Sequence, residues 1–500
     1  MIAQASSGAL STFNGKPGDI FTAYPTLLSP ENATQMVLSR KRPCSSPRPR
    51  LCHAPMFLLR KGVCLSVLLG AFVLSSRTLA GDAPTETKPS DTSRWLLNFQ
   101  STFILQGQPG LRSPYEGANS LPSGDTLRET FSFDIYAGAR LWRGAELYFQ
   151  PEYYQGFGFH NTRGIAAFPN GEAYKAGVHD GHVIFPHIML RQVIGFGGEK
   201  EDVEPGLMQL GGKVDVDRLT LTLGRFAVFD QFDNNAYAHD SRTQFLNWAL
   251  IDAGAFDYAA DAFGYTQGLS LDLNRKRWAL RYGLFMVPRT SNGIAMDWDL
   301  TRHWQQVIEL ETRYKLAGHP GKLRLLGWVM NAHAGSYAAT LADPTLGQDI
   351  TLTRRSRMSE GFVINLEQEI TPDLGAFARY SFRDGHSEVW AFTDIDRSLS
   401  LGLSLKGTAW HRAKDTAGLA WNLDGLSSSH RAYLAAGGLG TLVGDGRISY
   451  GRESIIETYY DAQLAKGFHL AADYQFVNNP AYNRDRGPAH VLSLRAHWEF

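Results

Sequence analysis

The chain has 500 residues, balances 49 basic against 49 acidic side chains, and is rich in glycine (50 residues) and aromatics (12%). Residues 1–80 hold nine of the lysines and arginines but only Asp19 and Glu31 as acids, so the rest of the chain is mildly acidic. That sign argues against a nucleic-acid partner, and the low charge content beyond the first eighty residues points away from an extended, disordered chain.

Residues 1–55 show no clear pattern and read as an upstream extension or an early start. Residues 56–80 read as a secretory leader. Arg60 and Lys61 form its positive flank, Gly62 to Ser75 its apolar core, and Thr78-Leu79-Ala80 a small-residue cleavage site. The core is too short for a spanning helix. All three cysteines (Cys44, Cys52, Cys64) precede Ala80, so a chain cut there holds no disulfide and must be stabilised otherwise. A polar segment follows over 81–93.

From Arg94 onward one pattern recurs. In "FSFDIYAGARL" Phe131, Phe133, Ile135, Ala137, Ala139 and Leu141 share a face. In "RWALRYGLFM" Trp278, Leu280, Tyr282, Leu284 and Met286 oppose Arg277, Arg281 and Gly283. The final "AHVLSLRAHWEF" sets Leu492, Leu494, Ala496, Trp498 and Phe500 against Ser493, Arg495, His497 and Glu499. Period-two alternation places these sets on opposite faces of a strand. The runs last about nine to twelve residues, the length of a tilted strand crossing a bilayer.

The expectation is an all-β fold, a transmembrane antiparallel β-barrel of about sixteen strands over 94–500. Strands are expected at 94–105, 127–142, 144–156, 185–195, 213–226, 263–274, 277–288, 303–316, 322–333, 358–371, 374–384, 397–406, 416–424, 454–465, 468–478 and 489–500. The last strand should pair with the first, "RWLLNFQSTFIL", leaving no edge in lipid. Trp95, Trp142, Tyr148, Trp278, Trp328, Tyr380, Tyr459 and Trp498 are expected in interfacial girdles. Tight turns at 274–277, 371–373 and 465–467 suit the periplasmic end. Longer stretches at 106–126, 157–184, 334–356 and 425–453 suit the outer end.

One region breaks the alternation: "FDQFDNNAYAHDSRTQFLNWALIDAGAFDYAADAFGYTQG", residues 229–268. It is too long for a turn and dense in polar groups. "SRTQFLNWALI" offers Ser241 as a helix cap, with Phe245, Leu246, Ala249 and Leu250 at helical spacing. In a barrel of this width such a segment is expected to fold inward and narrow the lumen.

Catalytic and metal signatures are weak. There is no Gly-x-Ser-x-Gly elbow, phosphate-cradling loop or HExxH. "GVHDGHVIFPH" gathers His179, Asp180, His182 and His187, but without cysteine and in a stretch read as exposed loop, so neither metal nor cofactor is expected. Asp257 and Asp261 could be imagined as a glycosidase pair, yet in an acid-rich lumen that spacing carries little weight.

"FDNNAYAHDSRTQFLNWALIDAGAFDYAADAFGYTQG", preceded by "LRQVIGFGGE" (190–199) and "LTLTLGRFAVFD" (219–230), resembles the carbohydrate-selective porin (OprB) family. The likeness is dense from about 172 to 290 and diffuse elsewhere. It implies a sixteen-stranded barrel in the outer membrane of a Gram-negative bacterium, a homotrimer, and passage of mono- and small oligosaccharides down their gradient. A terminal Phe500 on an alternating strand resembles the signal read by the barrel assembly machinery.

Neutral polyols call for paired donors and acceptors with aromatic faces rather than a field of one sign. The pathway residues expected on the inward loop are Asp230, Asp233, Asn234, Asn235, His239, Asp240, Arg242, Asn247 and Trp248. Glu152, Arg191 and Arg225 are expected on the wall near its base. Several of the loop carboxylates could instead pin the loop or cap turns. Arg225 follows Leu219, Leu221 and Leu223 in the apolar phase, so either a bulge near Gly224 re-aims it or it lies at the membrane edge. The competing readings are an exporter of an acidic polysaccharide such as alginate, which needs a basic conduit, and a barrel enzyme or adhesin.

Overall fold

The structure, a computed structural model, describes residues 93–156, 158–174, 178–391 and 393–500. The extension, the leader and all of the polar segment but Ser93 lie outside the described residues. The strands are β1 (Trp95–Gln108), β2 (Thr126–Trp142), β3 (Ala145–Gly156), β4 (Val178–Gly195), β5 (Lys200–Val203), β6 (Gly212–Asp215), β7 (Arg218–Phe226), β8 (Thr266–Arg275) and β9 (Trp278–Phe285). They continue with β10 (Trp304–Leu316), β11 (His319–Ala334), β12 (Arg355–Glu369), β13 (Leu374–Arg383), β14 (Arg397–Gly407), β15 (Arg412–Gly425), β16 (Glu453–Ala465), β17 (Phe468–Asn478) and β18 (Ala489–Glu499). Among the described residues sixteen of these close into one antiparallel barrel, while β5 and β6 form a separate hairpin.

Closure is made by β1 and β18, in register from Gln100 opposite Glu499 to Gly107 opposite Leu492. Beyond the last ladder pair, Phe99 and Phe500 exchange backbone hydrogen bonds of 2.8 and 3.0 Å and stack their rings 5.3 Å apart. The tail alternates as its sequence demands. Ser493, Arg495 and His497 are buried toward the bore, while Leu492 and Leu494 stand more than half exposed on the outside. The same outward parity leaves Leu97, Leu223, Ile308, Leu325, Ile364 and Leu403 exposed around the wall, as a lipid-facing band requires.

Several expectations on detail give way. Trp95, Trp142, Trp278 and Tyr380 are exposed on the outer face, but Tyr148, Trp328 and Tyr459 are buried inward. These three occupy the inward parity of β3, β11 and β16, so they pack the lumen instead of the membrane interface. The expected strand 213–226 splits into β6 and β7, because residues 200–215 pair as their own hairpin. Strand β4 begins at Val178 rather than 185, with its pairing to β3 shifting between Gln150 and Glu152. Pro186 falls opposite that irregularity, where a missing N–H disrupts no regular ladder.

The core lies inside the cylinder. Residues 227–265 enter the lumen and bury Phe232, Phe245, Leu246, Leu250 and Tyr258 against the inner wall. Glycines on the inward parity make room for them. A Cβ at Gly375 would sit 2.0 Å from the Tyr237 ring. Another, at Gly283, would crowd Phe285 and Phe232. Helical content within this loop is smaller than its spacing suggested. Only Trp248–Ile251 is α-helical, capped by Asn247, whose side chain accepts from Ala249 N at 3.1 Å. Ser241 caps nothing there, because the N–H groups of Thr243 and Gln244 donate to Asp240 O at 3.4 and 2.8 Å, and those of Leu246 and Asn247 are drawn to Glu457 on the wall at 2.5 and 2.9 Å.

An arginine on the lipid face should be costly only at membrane depth. Ile364→Arg, at the centre of β12, is expected to lower stability by about 2–4 kcal/mol. Leu352→Arg, in an outer loop, should change it by less than about 0.5 kcal/mol. Urea titration of the bilayer-inserted protein, followed by tryptophan fluorescence, measures both.

Candidate functional site

The inward loop is fastened along the wall formed by β10 to β18. Asp233 is fully buried, and its Oδ1 accepts from Asn365 at 2.6 Å and lies 3.3 Å from Arg379 Nε. Arg379 also donates to the carbonyl of Leu250 at 2.8 Å. Asn235 donates to Asn365 at 2.7 Å, and the exposed Asn234 gives its carbonyl to the same residue. Asn247 donates to Ala167 O at 2.8 Å and to Gln475 at 3.1 Å. These four residues hold the loop in place, and none of them lines the cavity on the other side of the loop. Asp257 and Asp261 are likewise committed. The first accepts from the N–H groups of Trp390 and Ala391 at 2.9 and 2.8 Å, and the second pairs with Arg225 at 2.6 Å.

Against the opposite wall, β1 to β4, the loop leaves a cavity of about 320 Å³. Asp230, His239, Asp240, Arg242 and Trp248 line it, so five of the nine loop residues expected on the path converge there. The sequence reading missed the wall that faces them. Inward side chains of β1 to β4 form a continuous hydrogen-bonded chain along the wall. His187 Nε2 lies 2.7 Å from Asp230 Oδ2, and its Nδ1 meets Gln150. Gln150 donates to Asp134 at 2.6 Å. Gln100 donates to the other oxygen of Asp134 at 3.0 Å and reaches the Tyr136 hydroxyl at 3.2 Å. Strand parity alone assigns Gln100, Asp134, Tyr136 and Gln150 to the inner face, and that signal was available.

Arg242 ties the loop to this chain. Its guanidinium lies 3.0 Å from Glu172 and 3.5 Å from Asp134. Burial works against its charge, but Glu172 and Asp134 outweigh that cost and hold the guanidinium firmly protonated. Burial also lifts the Glu172 carboxyl above the usual range, with Arg242 opposing the shift. The His239 imidazole is pushed the other way: burial, then Arg379, holds it below the usual range and keeps the ring neutral. Its Nδ1 is buried without a hydrogen-bond partner among the described residues.

Aromatic faces complete the lining. Phe168 stacks on Trp248 with centroids 5.2 Å apart and planes 16° apart. Phe229 stands edge-on to Trp248 at 6.2 Å.

The three wall residues expected near the base do not border the cavity. Glu152 is buried behind it and accepts from the Tyr174 hydroxyl at 2.7 Å. Arg191 lies over the Tyr148 ring and 3.9 Å from Glu146. Arg225 keeps the outward phase of Leu223, and the ladders to β4 and β8 run through Gly224 without a bulge. Its guanidinium folds back to Asp261 and to Phe185 O at 2.8 Å. The histidine-rich stretch is also accounted for in part. His187 belongs to the wall chain, His182 packs edge-on to Tyr154, and no metal-competent cluster occurs among the described residues.

A closed sixteen-strand barrel with a pinned inward loop is the architecture of a porin, and residues 118–500 match the family described as carbohydrate-selective porin, OprB family. The chain belongs to that family. Among curated relatives it is similar to Porin AaxA of Chlamydia caviae, at 22% identity over 314 residues. That match covers 61% of this chain and only 60% of the relative's length. Among solved structures it is similar to the high-pH structure of Pseudomonas putida OprB, with a TM-score of 0.62 and 16% identity, over 81% of this chain and 94% of that one. Family and fold are those of outer-membrane channels rather than enzymes.

Arg379→Met should leave Asp233 buried without its cation, which costs about 3–5 kcal/mol for a broken buried pair. Single-channel recording should then show a larger and noisier conductance as the loop loosens. Glu172 should respond to pH. Its raised pKa means that it takes up a proton at a higher pH than an ordinary carboxyl, removing one negative charge beside Arg242. Reversal potentials should show cation preference falling as the solution is acidified, and Glu172→Gln should abolish that pH-dependent step.

Proposed function

We propose that this family member is a passive diffusion channel for neutral mono- and small oligosaccharides. The carrying observation is the pairing of charge at the constriction with aromatic side chains, Phe168 and Trp248, bordering the same cavity. Arg242 lies between Glu172 and Asp134, and His187 faces Asp230, so donors and acceptors alternate around the cavity with a modest acidic excess. A pyranose offers hydroxyls around its rim and C–H groups on its faces. The chain from Asp230 through His187 and Gln150 to Gln100 supplies donors and acceptors to the rim, and Trp248 and Phe168 supply a surface to the face. Weak contacts spread over several sites permit both entry and exit.

An exporter of an acidic polysaccharide is less well supported, because the loop arginine at the constriction is already neutralised by carboxylates. The proposal also includes a leader cleaved after Ala80, assembly through Phe500 by the barrel machinery, and a homotrimer in the outer membrane.

Liposome swelling with glucose, maltose and a short uronate oligomer tests this reading. Entry of the neutral sugars ahead of the uronate supports it, and entry of the uronate alone would sink it. Trp248→Ala is expected to weaken current block by maltose several-fold, the loss of about 1 kcal/mol of stacking, while leaving the open conductance equal or higher.

A further inference from the structure

Six connections at the turn end of the barrel span two to four residues, as at 143–144, 276–277 and 317–318. The connection between β4 and β7 is far longer, and it turns back into the bore. Residues 200–215 form the β5–β6 hairpin, with Lys200 opposite Asp215 and Val203 opposite Gly212. The arms are charged and tied to the rim, Glu201 to Arg218 and Glu199 to Lys276, both at 2.6 Å. The tip between them is apolar and docks on inward-facing side chains of three strands. Asn98 on β1 donates to the carbonyls of Gly206 and Leu207 at 3.0 and 3.1 Å. Arg140 on β2 donates to Gly211 O, and Leu210 N–H donates to the Tyr148 hydroxyl on β3 at 3.2 Å. Gly206 and Gln209 exchange backbone hydrogen bonds of 3.0 and 3.3 Å, which closes the tip. Leu210 is buried, and Leu207 and Met208 border the same cavity as Arg242 and Gln100.

Met208 packs partly on the barrel's hydrophobic core, yet it and Leu207 stay only half-buried and border the cavity. The parts these two side chains leave against water gain little, whereas the C–H face of a passing solute would cover them. Their position also narrows the path from the side opposite the inward loop. We infer that the tip at Leu207–Met208 is a second selectivity element, an apolar ledge on the turn-end side of the constriction that sets the upper size of solute admitted. The inference depends on the chain being a channel, and on the sugar reading only for the identity of the solute.

The test replaces residues 204–211 with Asn-Gly, which closes the hairpin directly on the Val203–Gly212 pair with a favoured two-residue turn. Met208→Trp is made in parallel, both in the full-length protein reconstituted in planar bilayers. Conductance and the size cut-off for a graded series of polyethylene glycols are measured, alongside liposome swelling with maltooligosaccharides. The shortened hairpin should raise conductance by about half or more and admit larger polymers, and the tryptophan should shift both readouts the opposite way. Opposed signs distinguish a lining role from faulty assembly, which would depress both variants. An unchanged conductance and cut-off in both variants overturns the inference. A shifted polymer cut-off in a protein that passes no sugar upholds it while removing the sugar reading.

Discussion

In hydrocarbon no water is available to satisfy a peptide group, so each unpaired N–H or C=O costs several kcal/mol. That single constraint organises this protein. It requires a sheet without edges, which the pairing of Gln100 through Gly107 with Glu499 through Leu492 provides. Once the sheet is closed, strand parity divides every side chain between lipid and bore. Stability then needs no disulfide, because the barrel's backbone network joins the first strand to the last.

The second layer is the filling of the bore. A sixteen-strand cylinder leaves a wide lumen, and here the segment 227–265 occupies much of it. Its attachment is mainly polar: Asp233 with Arg379 and Asn365, Asn247 with Gln475, and the Leu246 and Asn247 amides with Glu457. Charges inside a barrel are therefore used in two ways. Those facing β10 to β18 are consumed in fastening the loop. Those facing β1 to β4 remain at the surface of a cavity, still paired, yet open to a solute on one side. Arg242 belongs to both groups, because it spans the gap and joins the loop to Asp134 on the opposite wall.

Paired charge suits a neutral, hydroxyl-rich cargo. A guanidinium held between two carboxylates leaves only a small negative excess, so cations gain modestly over anions while both donors and acceptors stay available. A hydroxyl can still exchange partners with such groups at low cost, provided that an aromatic face guides the ring. In the proposed pathway Phe168 and Trp248 would offer that surface, and Leu207 and Met208, which border the same cavity, would extend its apolar side.

Alternation alone determined the fold class, the strand count, the closing pair and the identity of the inward loop, because each follows from local parity and from what lipid forbids. The assignments that needed more came from three-dimensional pairing. Asp233, Asn235 and Asn247 read as pathway residues from composition, yet their partners Arg379, Asn365 and Gln475 lie 130 or more positions away, and only folding shows that these contacts bury them. The same holds for the short helix at Trp248–Ile251, where wall carboxylates outbid local helical spacing. Tyr148, Trp328 and Tyr459 match an interfacial girdle only by their nearness to a strand end, whereas strand parity, which puts Tyr148 on the same face as Gln150, turns them inward. The inward hairpin tip left no periodic mark at all. Which polar residues meet solute and which merely hold the loop is a question of what lies opposite across the bore, and a linear pattern carries no record of that distance.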